Sequence, residues 1–222
     1  GALPARRAPA GAPVQKSPLS LDTELSLRPV TLRAPRARAV FRIQAAVCRA
    51  FREFLQGEGF TEIHTPKLGR AGAEGGSSQF RLDYFGRKAV LAQSPQLYKQ
   101  AMVGVFERVY EIGRIFRNEG LDPKHNPEFT TIELYEAYAD FHDMMDIAEG
   151  VLSTAAKEIL GSYRVTWLGN EIDLTPGWKR MTMIDAVREY VGVDFEAISD
   201  DEEACKAAEA KGIDLEGCER TW

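Results

Sequence analysis

Residues 113–142 read GRIFRNEGLDPKHNPEFTTIELYEAYADFH, and their alternation decides the fold. Strand side chains point to opposite faces in turn. In the first half, Ile115, Arg117 and Glu119 share a face. In the second half, Phe129, Thr131, Glu133 and Tyr135 share one, while Thr130, Ile132 and Leu134 point the other way. Between them lies LDPKHNP, residues 121–127, a polar loop with two prolines and two basic groups. The pattern predicts an antiparallel hairpin over 110–138 that presents a cation, an aromatic ring and carboxylates on one surface. A nucleoside triphosphate needs such a set. A guanidinium grips phosphate oxygens in pairs, an aromatic face stacks on a base, and a carboxylate accepts from an amino group. A solvated surface hairpin has the same spacing, because charge runs usually face water.

Outward from the hairpin, the chain reads as an α+β domain, an antiparallel sheet flanked by helices. Pro35 opens a helical pattern with apolar residues at Val40, Ile43, Val47, Phe51 and Phe54, which stops at Gly57. GFTEIHTPKL follows as a strand ended by Pro66. Residues 69–78 form a Gly/Ser-rich loop holding Glu74. FRLDYF and KAVLAQ flank Gly86-Arg87 as a second hairpin. Ser94 caps a short helix with Pro95 in its first turn. Asp140 caps a long helix that ends at Gly161, with Met144 and Met145 among its core positions. VTWLGNEIDL reads as a hairpin turning at Gly169-Asn170, and Thr182 with Asp185 as a capping box. Residues 200–211 read as a short amphipathic helix within a peripheral insertion that starts at 193.

The chain has 222 residues, of which 44% are hydrophobic and 27% charged. That is the composition of a soluble globular protein, and no apolar run approaches the ~20 residues that span a membrane. Three scattered cysteines, Cys48, Cys205 and Cys218, argue for a reducing, cytoplasmic setting and against a disulfide frame or a metal cluster. The net charge of −5 hides an asymmetry: residues 1–70 carry 12 Lys/Arg against 5 Asp/Glu, and residues 191–222 carry 3 against 10. A basic front can lie near a phosphate backbone. The Ala/Pro/Gly-rich residues 1–19 read as a linker from a preceding part.

FRNEG…HNPEFT…ELY.AYAD resembles motif 2 of class II aminoacyl-tRNA synthetases, in the subgroup serving lysine, aspartate and asparagine, and within it the lysyl-tRNA synthetases. FREFLQGEGFTEIHTPKL resembles motif 1, which in that family forms the interface of a homodimer and ends at the position of Pro66. The resemblance covers residues 20–222 as a partial catalytic domain. It implies activation of an amino acid by ATP with Mg²⁺, followed by transfer to tRNA. It gives Arg117 the α-phosphate and the amino-acid carboxylate, as the group that stabilises charge in the transition state. It gives Glu119 the adenine amino group, Phe129 the adenine face and His125 the outer phosphates. Glu128 stands equally well as the partner of a loop cation.

The side-chain pocket reads two ways. Glu133 and Tyr135 stand where lysyl enzymes hold the ε-ammonium of lysine. GAEGGSSQF, LAQSPQLYKQ and MVGVFERV, however, resemble archaeal-type aspartyl-tRNA synthetases. There the positions of Glu74 and Gln96 serve the substrate ammonium, and that of Lys99 serves the aspartate carboxylate. The changeover falls at residues 107–113. A natural recombinant, a diverged paralogue or a joining of two related genes would each produce it. Lysine is the expected substrate, with aspartate the alternative and a non-charging paralogue behind both. Lys99 and Glu133 could also pair with each other and blank the site. No third, Gly-rich motif ending in arginine and no magnesium carboxylates stand before Trp222, so weak or absent activation by these 222 residues alone is expected, with no metal ligands among them.

Overall fold

The computed structural model describes residues 19–70, 78–120, 122, 125–213 and 215. The chain divides into two units, one ending at Leu174 and one beginning at Thr175.

In the first unit, two short helices, α1 (Leu21–Ser26) and α2 (Arg28–Thr31), precede the long α3 (Pro35–Gly57). Proline opens α3 because its missing N–H would be unsatisfied there in any case. The central hairpin joins β5 (Arg108–Phe116) to β6 (Glu128–Glu136), antiparallel along the full length of both strands. The register pairs Ile115 with Phe129, Glu111 with Glu133 and Tyr110 with Leu134. Directly paired residues share a face, so the even- and odd-numbered residues form the two sides of the ribbon.

The even-numbered face carries Tyr110, Ile112, Ile132 and Leu134. They pack with Leu55, Phe51 and Phe54 of α3 and with Val151 and Ile147 of α5 (Phe141–Leu160), and Phe60 completes the core. Asp140 closes a full capping box at the start of α5, and Gly161 ends it in the left-handed conformation at φ 71°. Close approach of the two helices depends on Gly150, where a Cβ would lie 2.2 Å from the Phe54 ring.

β1 is shorter than its sequence suggests. Only Thr61–Glu62 is strand, and it runs parallel to β5, so this sheet is mixed and not purely antiparallel. A second sheet holds β2 (Leu68–Gly69), β4 (Arg87–Leu91) and β3 (Arg81–Tyr84), all antiparallel. The β3–β4 turn places Phe85 and Gly86 at positive φ, the geometry of a tight two-residue hairpin. β7 (Arg164–Trp167) and β8 (Asn170–Asp173) form a third, two-stranded piece. Its turn falls on Leu168-Gly169, one residue before the expected pair.

Two further expectations change. Ser94 does not cap α4 (Gln96–Met102); the N-cap is Pro95, without a side-chain bond, because the Ser94 hydroxyl is drawn to Glu133. Met145 lies outside the core, exposed with Phe141 and Leu152 on α5, because the apolar stripe of α5 is wider than its contact with α3. In the second unit, Thr182 caps α6 (Met183–Tyr190) through the Asp185 N–H. Arg188 gathers Asp185, Asp194 and Glu196, and α7 (Asp201–Glu209) forms the expected acidic helix. No described helix is long and apolar enough to cross a membrane.

Candidate functional site

The odd-numbered face of the hairpin lies opposite the side that packs on α3 and α5, and carries two clusters. The first lies at the open end. β5 ends at Phe116, but the Arg117 N–H still donates to the Pro127 carbonyl at 2.9 Å, which holds Arg117 in line with the strand. Its guanidinium carbon lies 5.7 Å from the centre of the Phe129 ring. The Arg117 Nε is buried and has no hydrogen-bond partner among the described residues. A buried, unsatisfied guanidinium N–H is costly, and an oxyanion arriving there would satisfy it. This orphaned donor fits a phosphate group.

The second cluster lies four residues further along β6, about 13 Å away at the rise of a strand. Glu133 Oε2 accepts from Lys99 Nζ at 2.6 Å and from the Ser94 hydroxyl at 2.8 Å. Lys99 projects from α4, is only 4% exposed, and lies 4.8 Å from the centre of the Tyr135 ring. Gln96, one turn earlier on α4, donates its amide N–H to the Tyr135 hydroxyl. Gln96, Lys99, Glu133 and Tyr135 therefore meet in one place, and the anticipated Lys99–Glu133 pairing is present.

The other candidates stand apart. Glu119 is exposed in the turn after β5. His125 is exposed and bound to Asp122, through its backbone N–H at 2.8 Å and its Nδ1 at 2.7 Å. Glu128 lies 3.8 Å from Arg114, a strand cation and not a loop cation. Pro66 is exposed in the link between β1 and β2. Glu74 lies outside the described residues. Among those described, no three His, Cys, Asp or Glu side chains are grouped to hold a metal ion.

Glu111 was not anticipated as part of this face. It is 3% exposed, directly opposite Glu133 in the ladder, and bound by Lys67 Nζ at 2.7 Å, the Thr65 hydroxyl at 2.6 Å and the Thr65 N–H at 3.0 Å. Counting back by twos from Arg117 reaches Glu111, so the same alternation that found Arg117 could have found it. Burial pushes its carboxyl up. The bonds from Lys67 and Thr65, with the Lys67 charge, outweigh this and hold it below the ordinary 4.5. On the opposite face, burial and the hydrogen bond to Glu62 push the Tyr110 phenol up to about 12.

The Glu111 shift has a testable sign. A depressed carboxyl stabilises the fold above its unfolded value, and that contribution disappears as pH falls through the folded value. Wild type should exceed Glu111→Gln in urea-unfolding stability at about pH 6, and the gap should close by about pH 3. A gap that stays constant or widens in acid would contradict the assignment.

The sequence pattern of the family "tRNA synthetases class II (D, K and N)" matches residues 20–213. Among similar proteins is the "Lysine--tRNA ligase" of Clostridium botulinum strain Hall, 46% identical over 186 residues, covering 80% of this chain and 36% of that protein. The one from Thermosynechococcus vestitus is 44% identical over 190 residues, covering 83% of this chain and 37% of its own length. That of Clostridium acetobutylicum is 44% identical over 181 residues, covering 80% and 35%. The chain thus spans little more than a third of these relatives. A match across residues 20–213, on a mixed sheet whose open face carries Arg117 and Phe129 together, means that the chain belongs to the class II tRNA synthetases of the D, K and N group.

Proposed function

We propose that this chain carries the activation face of a lysine–tRNA ligase. The observation that carries the reading is the orphaned Arg117 Nε beside Phe129, on the same face as Glu133 and Tyr135. Similarity to proteins named lysine–tRNA ligase supports the choice of lysine.

In this reading the lysine carboxylate attacks the α-phosphorus of ATP. A new P–O bond forms, the α–β bridge breaks, and pyrophosphate leaves. Arg117 holds the α-phosphate oxygens as charge builds on them. Phe129 stacks on adenine, Glu119 accepts from its amino group, and His125 meets the outer phosphates once it leaves Asp122. Glu133 and Tyr135 take the substrate ε-ammonium, while Gln96 and Glu74 serve its α-ammonium. A ribose hydroxyl at the 3′ end of tRNA then attacks the lysyl carbonyl and releases AMP. Mg²⁺ neutralises phosphate charge in such reactions, and none of the steps given to these residues runs through it. Val40, Phe41 and Ile43 are exposed on α3, which fits a homodimer packed across α3 and Pro66.

Lys99 favours a second reading. A buried cation in the pocket suits the side-chain carboxylate of aspartate. Calorimetric titration of ATP, with lysine-, aspartate- and asparagine-dependent ATP–pyrophosphate exchange, tests both. Saturable ATP binding by this chain, and exchange fastest for lysine in a completed catalytic domain, is the expected result. Aspartate-dependent exchange lost in Lys99→Met would give the second reading the site, and absence of ATP binding would sink both.

A further inference from the structure

We infer that Lys99 is the resident cation of the side-chain pocket, a built-in stand-in for the ammonium group of a lysine substrate, and so a specificity-determining residue. The inference rests on the proposed reading of Glu133 and Tyr135 as the side-chain pocket.

A receptor for an ammonium ligand needs a desolvated carboxylate and the face of an aromatic ring. Both are present and both are taken. Lys99 Nζ sits 2.6 Å from Glu133 Oε2 and 4.8 Å from the Tyr135 ring centre. The Ser94 hydroxyl donates to the same Oε2 at 2.8 Å, and Gln96 donates to the Tyr135 hydroxyl. These bonds fix the two acceptors in place around Lys99.

Lys99 is shielded from water, with its side chain 6% exposed and that of Glu133 18%. A second ammonium entering this pocket would leave two cations beside one carboxylate, and at such distances like charges repel strongly. Substrate lysine therefore binds only when Lys99 gives up Glu133. Removing the Glu133 charge has the opposite effect, because Lys99 is then a buried cation open to an anionic side chain.

The test titrates L-lysine and L-aspartate into the 222-residue chain by calorimetry, for wild type, Lys99→Ala and Glu133→Gln. Lys99→Ala should bind L-lysine at least about tenfold more tightly than wild type. Millimolar n-butylammonium should raise the melting temperature of Lys99→Ala by at least about 2–4 °C and leave wild type unmoved. Glu133→Gln should gain about tenfold for L-aspartate and nothing for L-lysine.

Equal lysine affinity in wild type and Lys99→Ala, or equal butylammonium shifts in both, would overturn the inference. Should Lys99→Ala fail to fold alone, refolding on addition of n-butylammonium supports it. If that too fails, Glu133→Gln decides, and aspartate binding no tighter than in wild type overturns it. ATP titrations on the same samples keep the two questions separate. Loss of ATP binding with ammonium rescue intact sinks the activation reading and leaves the place of Lys99 standing.

Discussion

Glu133→Ala should destabilise the chain by about 3–5 kcal/mol in urea unfolding, the scale for stripping one partner from a buried ion pair. The cost comes from what stays behind. Lys99 is 4% exposed and has its ammonium 2.6 Å from the lost carboxylate. The Ser94 hydroxyl loses its acceptor in the same step. A double replacement by methionine at Lys99 and Glu133 leaves no uncompensated charge, and should recover most of the loss or exceed wild type. A Glu133→Ala loss under about 1 kcal/mol would put the pair in the class of exposed salt bridges, and its proposed control of the pocket would fall with it.

Arg117→Ala should cost about 3–4 kcal/mol of transition-state stabilisation, the effect of deleting one preorganised donor to a developing oxyanion. That is roughly a hundredfold to a thousandfold in kcat/KM of lysine-dependent ATP–pyrophosphate exchange, read in a completed catalytic domain because these 222 residues alone are expected to activate weakly or not at all. Arg117→Lys should recover only part, because an ammonium cannot grip two oxygens in one plane. Stability should hardly change, since the Arg117 Nε has no hydrogen-bond partner to lose among the described residues. A stable variant with exchange within about tenfold of wild type would take Arg117 out of the chemistry.

The central hairpin was legible because period-two alternation is a local signal and the pairing runs unbroken from Arg108–Glu136 to Phe116–Glu128, although Val109, Tyr110 and Glu111 are buried in succession. The ends of α5 were legible for the same reason, since Asp140 and Gly161 act within one turn of themselves. The misses share a cause. Ser94 has the chemistry of a cap, but a carboxylate 39 residues away competes for its hydroxyl. β1 pairs in parallel with residues 48 positions further on, which its own residues cannot announce. Glu111 is held by Lys67 and Thr65, from a different element, and so read as an ordinary charge inside a strand. Met145 fits an apolar stripe that α3 covers only in part. In the site, the meeting of Lys99 with Glu133 was one of the alternatives, drawn from the pocket positions that the family resemblance gives them and from their opposite charges. The attachment of His125 to Asp122 was not, because two residues of an irregular turn give no period to read.

The opposition of Glu111 and Glu133 across the ladder also constrains what can stand ahead of the hairpin. Like charges facing each other on one sheet face are unfavourable, and each carboxylate is neutralised from outside the hairpin, by Lys67 and by Lys99. Both lysines lie ahead of the hairpin in the chain, Lys67 between β1 and β2 and Lys99 on α4. A foreign segment grafted ahead of β5 would fold onto this hairpin only if it brought cations to both places. The two lysines act as a compatibility requirement between the front of the chain and the hairpin, so a change of charge at either end needs its match at the other.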